Sequence, residues 1–376
     1  MRIYFDNAAT TPLDPQVFEV MAPMLRDHFG NPSSTHEHGR KVKVQIELAR
    51  KKVAQLLRCT TGEIVFTSGG TEADNMAIRN SVEDLGVTHC ITTKIEHHAV
   101  LHTLEELAEK GKIKLSFVKM NGQGEVDLKD LEELLQNNAR SFVSLMHANN
   151  EVGTMIDLVS IGNLVRKYDG IFHSDTVQTM GHFEHDLSVL PVDFITAAAH
   201  KFNGPKGTGF LYINKRLKLH PFITGGGQER SMRGGTENVY GMVGLAKALE
   251  LAYSIMPEKR KKIEAVKQHF IQRLKQEIPG ISFNGTSGDL QKSLYTVLNV
   301  NFPKVARPDM LLFQLDLNGI SCSGGSACSS GATKGSHVLA EMDRDMDAPA
   351  VRFSFGKHNT LEEVDYTIEV LKKIFE

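Results

Sequence analysis

EIVFTSGGTEADN, residues 63–75, passes from a short apolar, β-rich run through a turn of small residues into the start of a helix. EIVF reads as a strand. The small residues after it let Gly69, Gly70 and Thr71 present backbone N–H groups at a helix N-terminus, which suits a phosphate. The same unit recurs along the chain. THCITTK, KLSFVKM, SFVSLMH, GIFHSD, DFITAAA and GFLYINK are also short, apolar and β-rich, and helical patterns such as VLHTLEELAEKG and LKDLEELLQNN fall between several of them. This alternation predicts βαβ units: an α/β fold built on a mainly parallel sheet with helices on both faces.

The helical stretch NVYGMVGLAKALELAYSI runs into Pro257, and the charged helix EKRKKIEAVKQHFIQRLKQEI follows. Proline is tolerated at a helix start and breaks an interior, so a boundary is expected there. The predicted division is a large domain over residues 16–256 and a smaller α/β domain over 1–15 and 257–376. The second contains LYTVLNVNF, MLLFQLDL, VRFSFG and a terminal helix.

Bulk properties narrow the function. The 376 residues carry 43 basic and 45 acidic side chains, a formal charge of −2, so no global positive field argues for direct nucleic-acid binding. No apolar run approaches the roughly 20 residues that span a bilayer. The opening MRIYFDNAATTP lacks the apolar stretch of a signal peptide, and no membrane association is expected. Four cysteines in so long a chain do not make a disulfide framework, which fits a reduced, cytoplasmic setting. Cys59 and Cys90 adjoin apolar segments and read as small buried hydrophobes.

Several side chains invite a chemical reading. In AAAHKFNGPKGTG, Lys201 follows a short apolar strand at the carboxyl end, where open α/β sheets bind ligands. GIFHSDTVQ ends a strand on Asp175, three residues before Gln178, and IEHHAV offers His97 and His98 near another strand end. Taken singly, each has a plain alternative: a solvated lysine, an acid capping a turn, packed histidines. His98, His173 and Asp175 offer the residue types of a metal cluster, but their spacing matches no zinc pattern and no metal is expected. SCSGGSACSSG, residues 321–331, places Cys328 among serines and glycines with nothing large enough to anchor a core. Cys322, after DLNGI, reads as structural.

Together these parts resemble a pyridoxal-phosphate-dependent transferase of the aspartate-aminotransferase type, fold type I, with a seven-stranded type of sheet and a smaller C-terminal α/β domain. Within that type the chain is similar to the class I cysteine desulfurases, the NifS/IscS group. The motifs are YFDNAATTP (4–12), FGNPSSTHEHG (29–39), TSGGTEADN (67–75), EHHAVL (96–101), MHANNEVG (146–153), HSDTVQ (173–178), HKFNGPKGTG (200–209), GGGQERSMRGGTENV (225–239), SGGSACSSG (323–331) and RFSFGKHNT (352–360).

The resemblance implies that Lys201 bonds the cofactor aldehyde and then moves the substrate's Cα proton. It implies that Asp175 faces the pyridine nitrogen, Gln178 bonds the ring hydroxyl and His97 stacks on the ring, with His97 also the candidate base. Gly70, Thr71 and His200 would hold the phosphate, joined by Thr236 from a second subunit, which implies a homodimer. Asn150 and Arg352 would grip the carboxylate of L-cysteine. Cys328 would be the nucleophile that collects sulfur as a persulfide, leaving L-alanine, for delivery to an acceptor in iron–sulfur cluster assembly or tRNA thiolation. Two positions depart from the family pattern: Ala198 stands where a serine or threonine usually contacts phosphate, and Gly324 loosens the nucleophile loop. The rival readings are a selenocysteine lyase or aminotransferase on the same scaffold, and a non-catalytic sulfur-transfer scaffold or regulator.

Overall fold

A computed structural model describes residues 1–138, 140–304, 310–324 and 335–375. The chain opens with a two-residue strand, β1 (Ile3–Tyr4), and two helices, α1 (Pro15–Arg26) and α2 (Glu37–Leu56). Asp14 caps α1 by accepting the Gln16 N–H at 2.8 Å, and Pro15 begins it where no amide is needed. Strands and helices then alternate: β2 (Ile64–Thr67), α3 (Gly70–Glu83), β3 (His89–Thr92), α4 (His98–Glu109), β4 (Lys114–Phe117), α5 (Leu128–Gln136), β5 (Phe142–Ser144), α6 (Leu158–Lys167), β6 (Ile171–Asp175), β7 (Phe194–Ala198), β8 (Gly209–Ile213) and α7 (Val239–Ser254).

Each β-rich segment quoted from the sequence supplies one strand of a seven-stranded sheet in the order β2-β8-β7-β6-β5-β3-β4. Neighbours pair in parallel except around β8, which runs antiparallel to both β7 and β2. The reason is the connection: residues 199–208 hold one short 3₁₀ turn and no crossover helix, so the chain doubles back. Both faces are covered. Phe194 packs into one apolar cluster with Met76, Val100 and Leu104, while its neighbour Ile195 packs into another with residues of α1, α2 and α7. Burial on two sides explains why the inner strands are largely apolar rather than alternating, while the edge strand β4 is partly exposed.

After α7 the chain bends by 73° into α8 (Met256–Glu277), with Pro257 in its first turn. There follow β9 (Ser282–Phe283), β10 (Val297–Asn301), α9 (Leu311–Leu317), β11 (Ile320–Ser321), α10 (His337–Ala340), β12 (Ala350–Ser354) and α11 (Leu361–Phe375). Strands β12, β10 and β9 form an antiparallel sheet, and β1 pairs in parallel with β11 through Ile3 and Ile320. A separate apolar cluster joins Ile3 and Phe5 to Phe270, Leu298, Phe353 and Ile368. No single helix among the described residues is long and apolar enough to cross a bilayer.

Candidate active site

The carboxyl ends of β2, β6 and β7 open on a cavity of about 240 Å³. Its walls include Gly70, Thr71, His97, Asn150, Asp175, Gln178, His200, Lys201 and Arg352, which the sequence singled out from separate motifs. Two expected residues are not in this set. Cys328 lies outside the described residues. Thr236 is exposed and borders a different hollow, with Ser68, Thr208 and Gly235.

At one end of the cavity stands the N-terminus of α3. Gly69 precedes it with φ +154°, and among the described residues no side chain caps the helix. A fourteen-residue helix whose first amides face a cavity without a cap is a ready anion site. Gly70 also permits close approach, because a Cβ there would meet Val177 Cγ2 at 3.0 Å. His200 lies alongside, its Nδ1 3.1 Å from the Thr10 hydroxyl. Burial, with Lys201 and Lys206 nearby, pushes its pKa down to about 4, so it is neutral at pH 7.

Asp175 ends β6 only 5% exposed, and its Oδ1 accepts the Val177 N–H at 2.8 Å. Burial first, and the neighbouring Asp74 second, raise its pKa, while His97 draws it back. A cationic ring nitrogen beside it would relieve both penalties. His97 caps α4: its Nδ1 accepts the Ala99 N–H at 3.2 Å, so the neutral ring carries its proton on Nε2. Burial lowers the His97 pKa and keeps that neutral form. Lys201 sits in the turn after β7, and its Nζ donates to the carbonyls of Ala8 and Ala9 at 2.6 and 2.9 Å. Gln178 Nε2 donates to the same Ala8 carbonyl at 3.0 Å.

Arg352, in β12, is 1% exposed. It donates from Nη1 to the Asn150 carbonyl at 2.9 Å and from Nη2 to Asp6 Oδ1 at 2.8 Å. Its buried Nε has no partner among the described residues. A buried, partly unsatisfied guanidinium on a cavity wall is suited to a carboxylate ligand.

The structure adds residues that the sequence reading missed. Asp74, Glu151 and His337 line the cavity, and Glu96 lies buried behind it. Asp74, His97 and Asp175 bring polar atoms within 4.8 Å of one another; among the described residues this set forms, and not the imagined one of His98, His173 and Asp175. Asp74 was findable, since it stands three residues after Thr71 and therefore on the same face of α3. His337 carried no local signal. It reaches the site by bonding His98 Nε2 through Nδ1 at 3.1 Å and the Glu96 carbonyl through Nε2 at 3.0 Å.

A lysine amine, a buried strand-end carboxyl and an uncapped helix start suit, in turn, an aldehyde, a basic ring nitrogen and a phosphate. The chain belongs to the aminotransferase class-V family, whose model matches residues 3–367. Within that family it stands among the cysteine desulfurases. It is 41% identical to "Cysteine desulfurase IscS" of Dictyoglomus turgidum, over 100% of this chain and 94% of the relative. It is 42% identical to "Putative cysteine desulfurase IscS 1" of Bacillus subtilis, over 99% of each. Among solved structures it resembles a NifS-like protein with a TM-score of 0.90 and 38% identity, covering 100% of this chain and 99% of that one. It also resembles SspA, solved in complex with cysteine, with a TM-score of 0.82 and 30% identity over 95% of this chain and 100% of that one.

Proposed function

We propose that this chain uses pyridoxal phosphate to remove sulfur from L-cysteine, releasing L-alanine and carrying the sulfur as a persulfide on Cys328. The observation that carries the reading is the meeting, in one cavity, of Lys201, Asp175, His97 and Arg352 from four separate segments. In this reading Gly70, Thr71 and neutral His200 hold the phosphate, Gln178 the ring hydroxyl, Asp175 the ring nitrogen, and Lys201 the aldehyde. When bound, the cofactor supplies an electron sink for negative charge on the substrate's Cα.

The chain's own residues do the rest. Asp175 keeps a proton on the ring nitrogen, because a buried carboxylate is best satisfied by an adjacent cation. Lys201 would take the substrate's Cα proton as its base. Arg352 and Asn150 orient the substrate by its carboxylate. Neutral His97 carries its proton on Nε2 and would stack on the ring; to serve as a base it would take a proton at Nδ1, giving up its bond to the Ala99 N–H. Cys328 thiolate attacks the substrate sulfur. The S–S bond forms, the C–S bond breaks, and its electron pair leaves with the three-carbon skeleton. One thiol proton ends on the new methyl group, so persulfide and alanine balance the two thiols consumed.

The same reading takes residues 16–256 as the cofactor-carrying domain and 1–15 with 257–376 as the smaller one. Support comes from one apolar cluster confined between Val17 and Ala252 and another joining Ile3 and Phe5 to residues from Ile263 onward. It makes the enzyme a homodimer in which Thr236 reaches the partner's phosphate site. Thr236 borders a hollow other than its own cavity, and Phe18, Leu25, Val44, Leu48 and Phe29 are exposed on and beside α1 and α2. It places the enzyme in a reducing cytoplasm, consistent with free Cys59, Cys90 and Cys322, and gives it a sulfur-acceptor protein as partner.

The test is to incubate the purified holoenzyme with L-cysteine and measure alanine, with mass spectrometry of the protein. Equal alanine and added sulfur on Cys328 are expected, and Cys328→Ala should lose both. Full alanine production by Cys328→Ala would reject the nucleophile, and an obligatory α-keto acid would indicate an aminotransferase.

A further inference from the structure

YFDNAATTP, residues 4–12, is one of two motifs, with FGNPSSTHEHG, to which the assigned roles give no work. In the structure it ties the two reactive side chains together. Phe5 accepts the Ser354 N–H at 2.7 Å, the Asn7 N–H returns to the Ser354 carbonyl at 3.3 Å, and the Ala8 N–H bonds the Ser354 hydroxyl at 2.8 Å. These bonds fasten Asp6 beside β12, the strand that carries Arg352. The next two carbonyls, of Ala8 and Ala9, are those that hold Lys201 Nζ. One rigid segment therefore sets both the amine and the guanidinium.

We propose that Asp6 is a positioning residue for the substrate carboxylate: by holding Arg352 Nη2 it turns the remaining guanidinium N–H groups toward the cavity. The inference rests on the reading that Arg352 binds that carboxylate. A guanidinium has five N–H donors. The bonds to Asp6 and Asn150 use two, and unpartnered Nε is among those left over. The alternative is that Asp6 competes with the substrate for Arg352. Two features weigh against competition. The Asp6 side chain is 21% exposed, so water screens its repulsion of a second carboxylate. Arg352 is buried, so without Asp6 it would leave its present orientation to find another counter-charge.

The experiment uses the holoenzyme and follows the bound cofactor's absorbance on titration with L-alanine, which has the carboxylate but no sulfur, and with cysteamine, which has sulfur but no carboxylate. Asp6→Ala should weaken L-alanine binding and raise the KM for L-cysteine about tenfold, the loss of one oriented charge-assisted bond. Its kcat should stay within about threefold, and its cysteamine binding within about twofold, because neither depends on the carboxylate grip. Asp6→Asn keeps the acceptor and should restore most of the loss. In an Arg352→Lys background, Asp6→Ala should add little.

Tighter L-alanine binding by Asp6→Ala would establish competition and overturn the proposal. Equal weakening of cysteamine would overturn it as a general structural effect. If Arg352→Lys weakens L-alanine and Asp6→Ala does not, the Asp6 role falls while the proposed function stands. If the wild type leaves L-cysteine intact but Asp6→Ala still loses L-alanine selectively, the proposed function falls and the Asp6 role stands.

Discussion

Asp74→Asn should stabilise the cofactor-free protein, by an amount that grows from about pH 4 and is complete above about pH 7. Asp74 is 1% exposed, and neither carboxyl oxygen makes a hydrogen bond of normal geometry among the described residues. The Thr196 hydroxyl beside it offsets part of the burial, yet that hydroxyl is also 3.1 Å from His173 Nε2. His173 lies 3.4 Å from Asp74 but is itself pushed down to about 4 by burial, so it brings no charge at pH 7. The other groups facing Asp74 are Asp175, Glu96 and largely neutral His97, none a cation.

Burial thus raises the Asp74 pKa from 3.8 to about 7. At about 1.4 kcal/mol for each pH unit, that displacement is worth on the order of 4 kcal/mol. The sign follows from proton counting. Between about pH 4 and 7 the folded protein keeps a proton that the unfolded chain has released, so this group costs stability as pH rises and costs it in full above about 7. The neutral amide removes that cost. Guanidinium unfolding of cofactor-free wild type and Asp74→Asn at pH 5 and pH 8 reads the difference, with a clearly larger gain for the variant at pH 8. A gain equal at both pH values, or a loss at pH 8, would refute the reasoning.

Two further outcomes follow from burial and contact. Ala198→Ser adds a hydroxyl at the end of β7, where Ala198 is 2% exposed on the cavity wall near Gly70. Pyridoxal phosphate affinity, measured by equilibrium dialysis, should rise about three- to tenfold, the worth of one added bond; unchanged or weaker binding would show that the site already lacks nothing there. Arg50 and Glu229, each 2% exposed, share two 2.7 Å bonds linking α2 to the turn before α7. Arg50→Ala leaves Glu229 buried without its cation and should cost about 3–5 kcal/mol of stability in guanidinium unfolding; a loss under about 1 kcal/mol would contradict that reading.

The sheet was legible because its strands, the edge strand β4 apart, are buried on both faces. Such strands are largely apolar rather than alternating, and DFITAAA or the start of GIFHSD stands out without any partner being known. Strand direction was less visible, although one clue was present: DFITAAA and GFLYINK are joined by HKFNGPKGT, with no helix to carry a crossover. In the site, residues at strand ends declared themselves through their motifs. Those that act across the fold did not. Asp6 and Asp74 lay inside recognised motifs, but their partners, Arg352 and the buried carboxyls around Asp175, are set by tertiary contact. His337 meets His98 across 239 residues of sequence, a relation that no spacing rule encodes. The direction of the His97 proton was equally hidden, since it depends on the cap that His97 makes for α4.

The bond from Asp6 to Arg352 spans 346 residues. During synthesis the first motif leaves the ribosome long before its partner strand exists, and β1 likewise waits for Ile320. A nascent chain halted between β8 and β12 has the strands of the large sheet, the lysine and the helix start, but lacks Arg352. On the proposed assignment of Arg352 to the substrate carboxylate, translation completes the pocket only near its close, and a product truncated before β12 is expected not to turn over cysteine however well its larger part has folded.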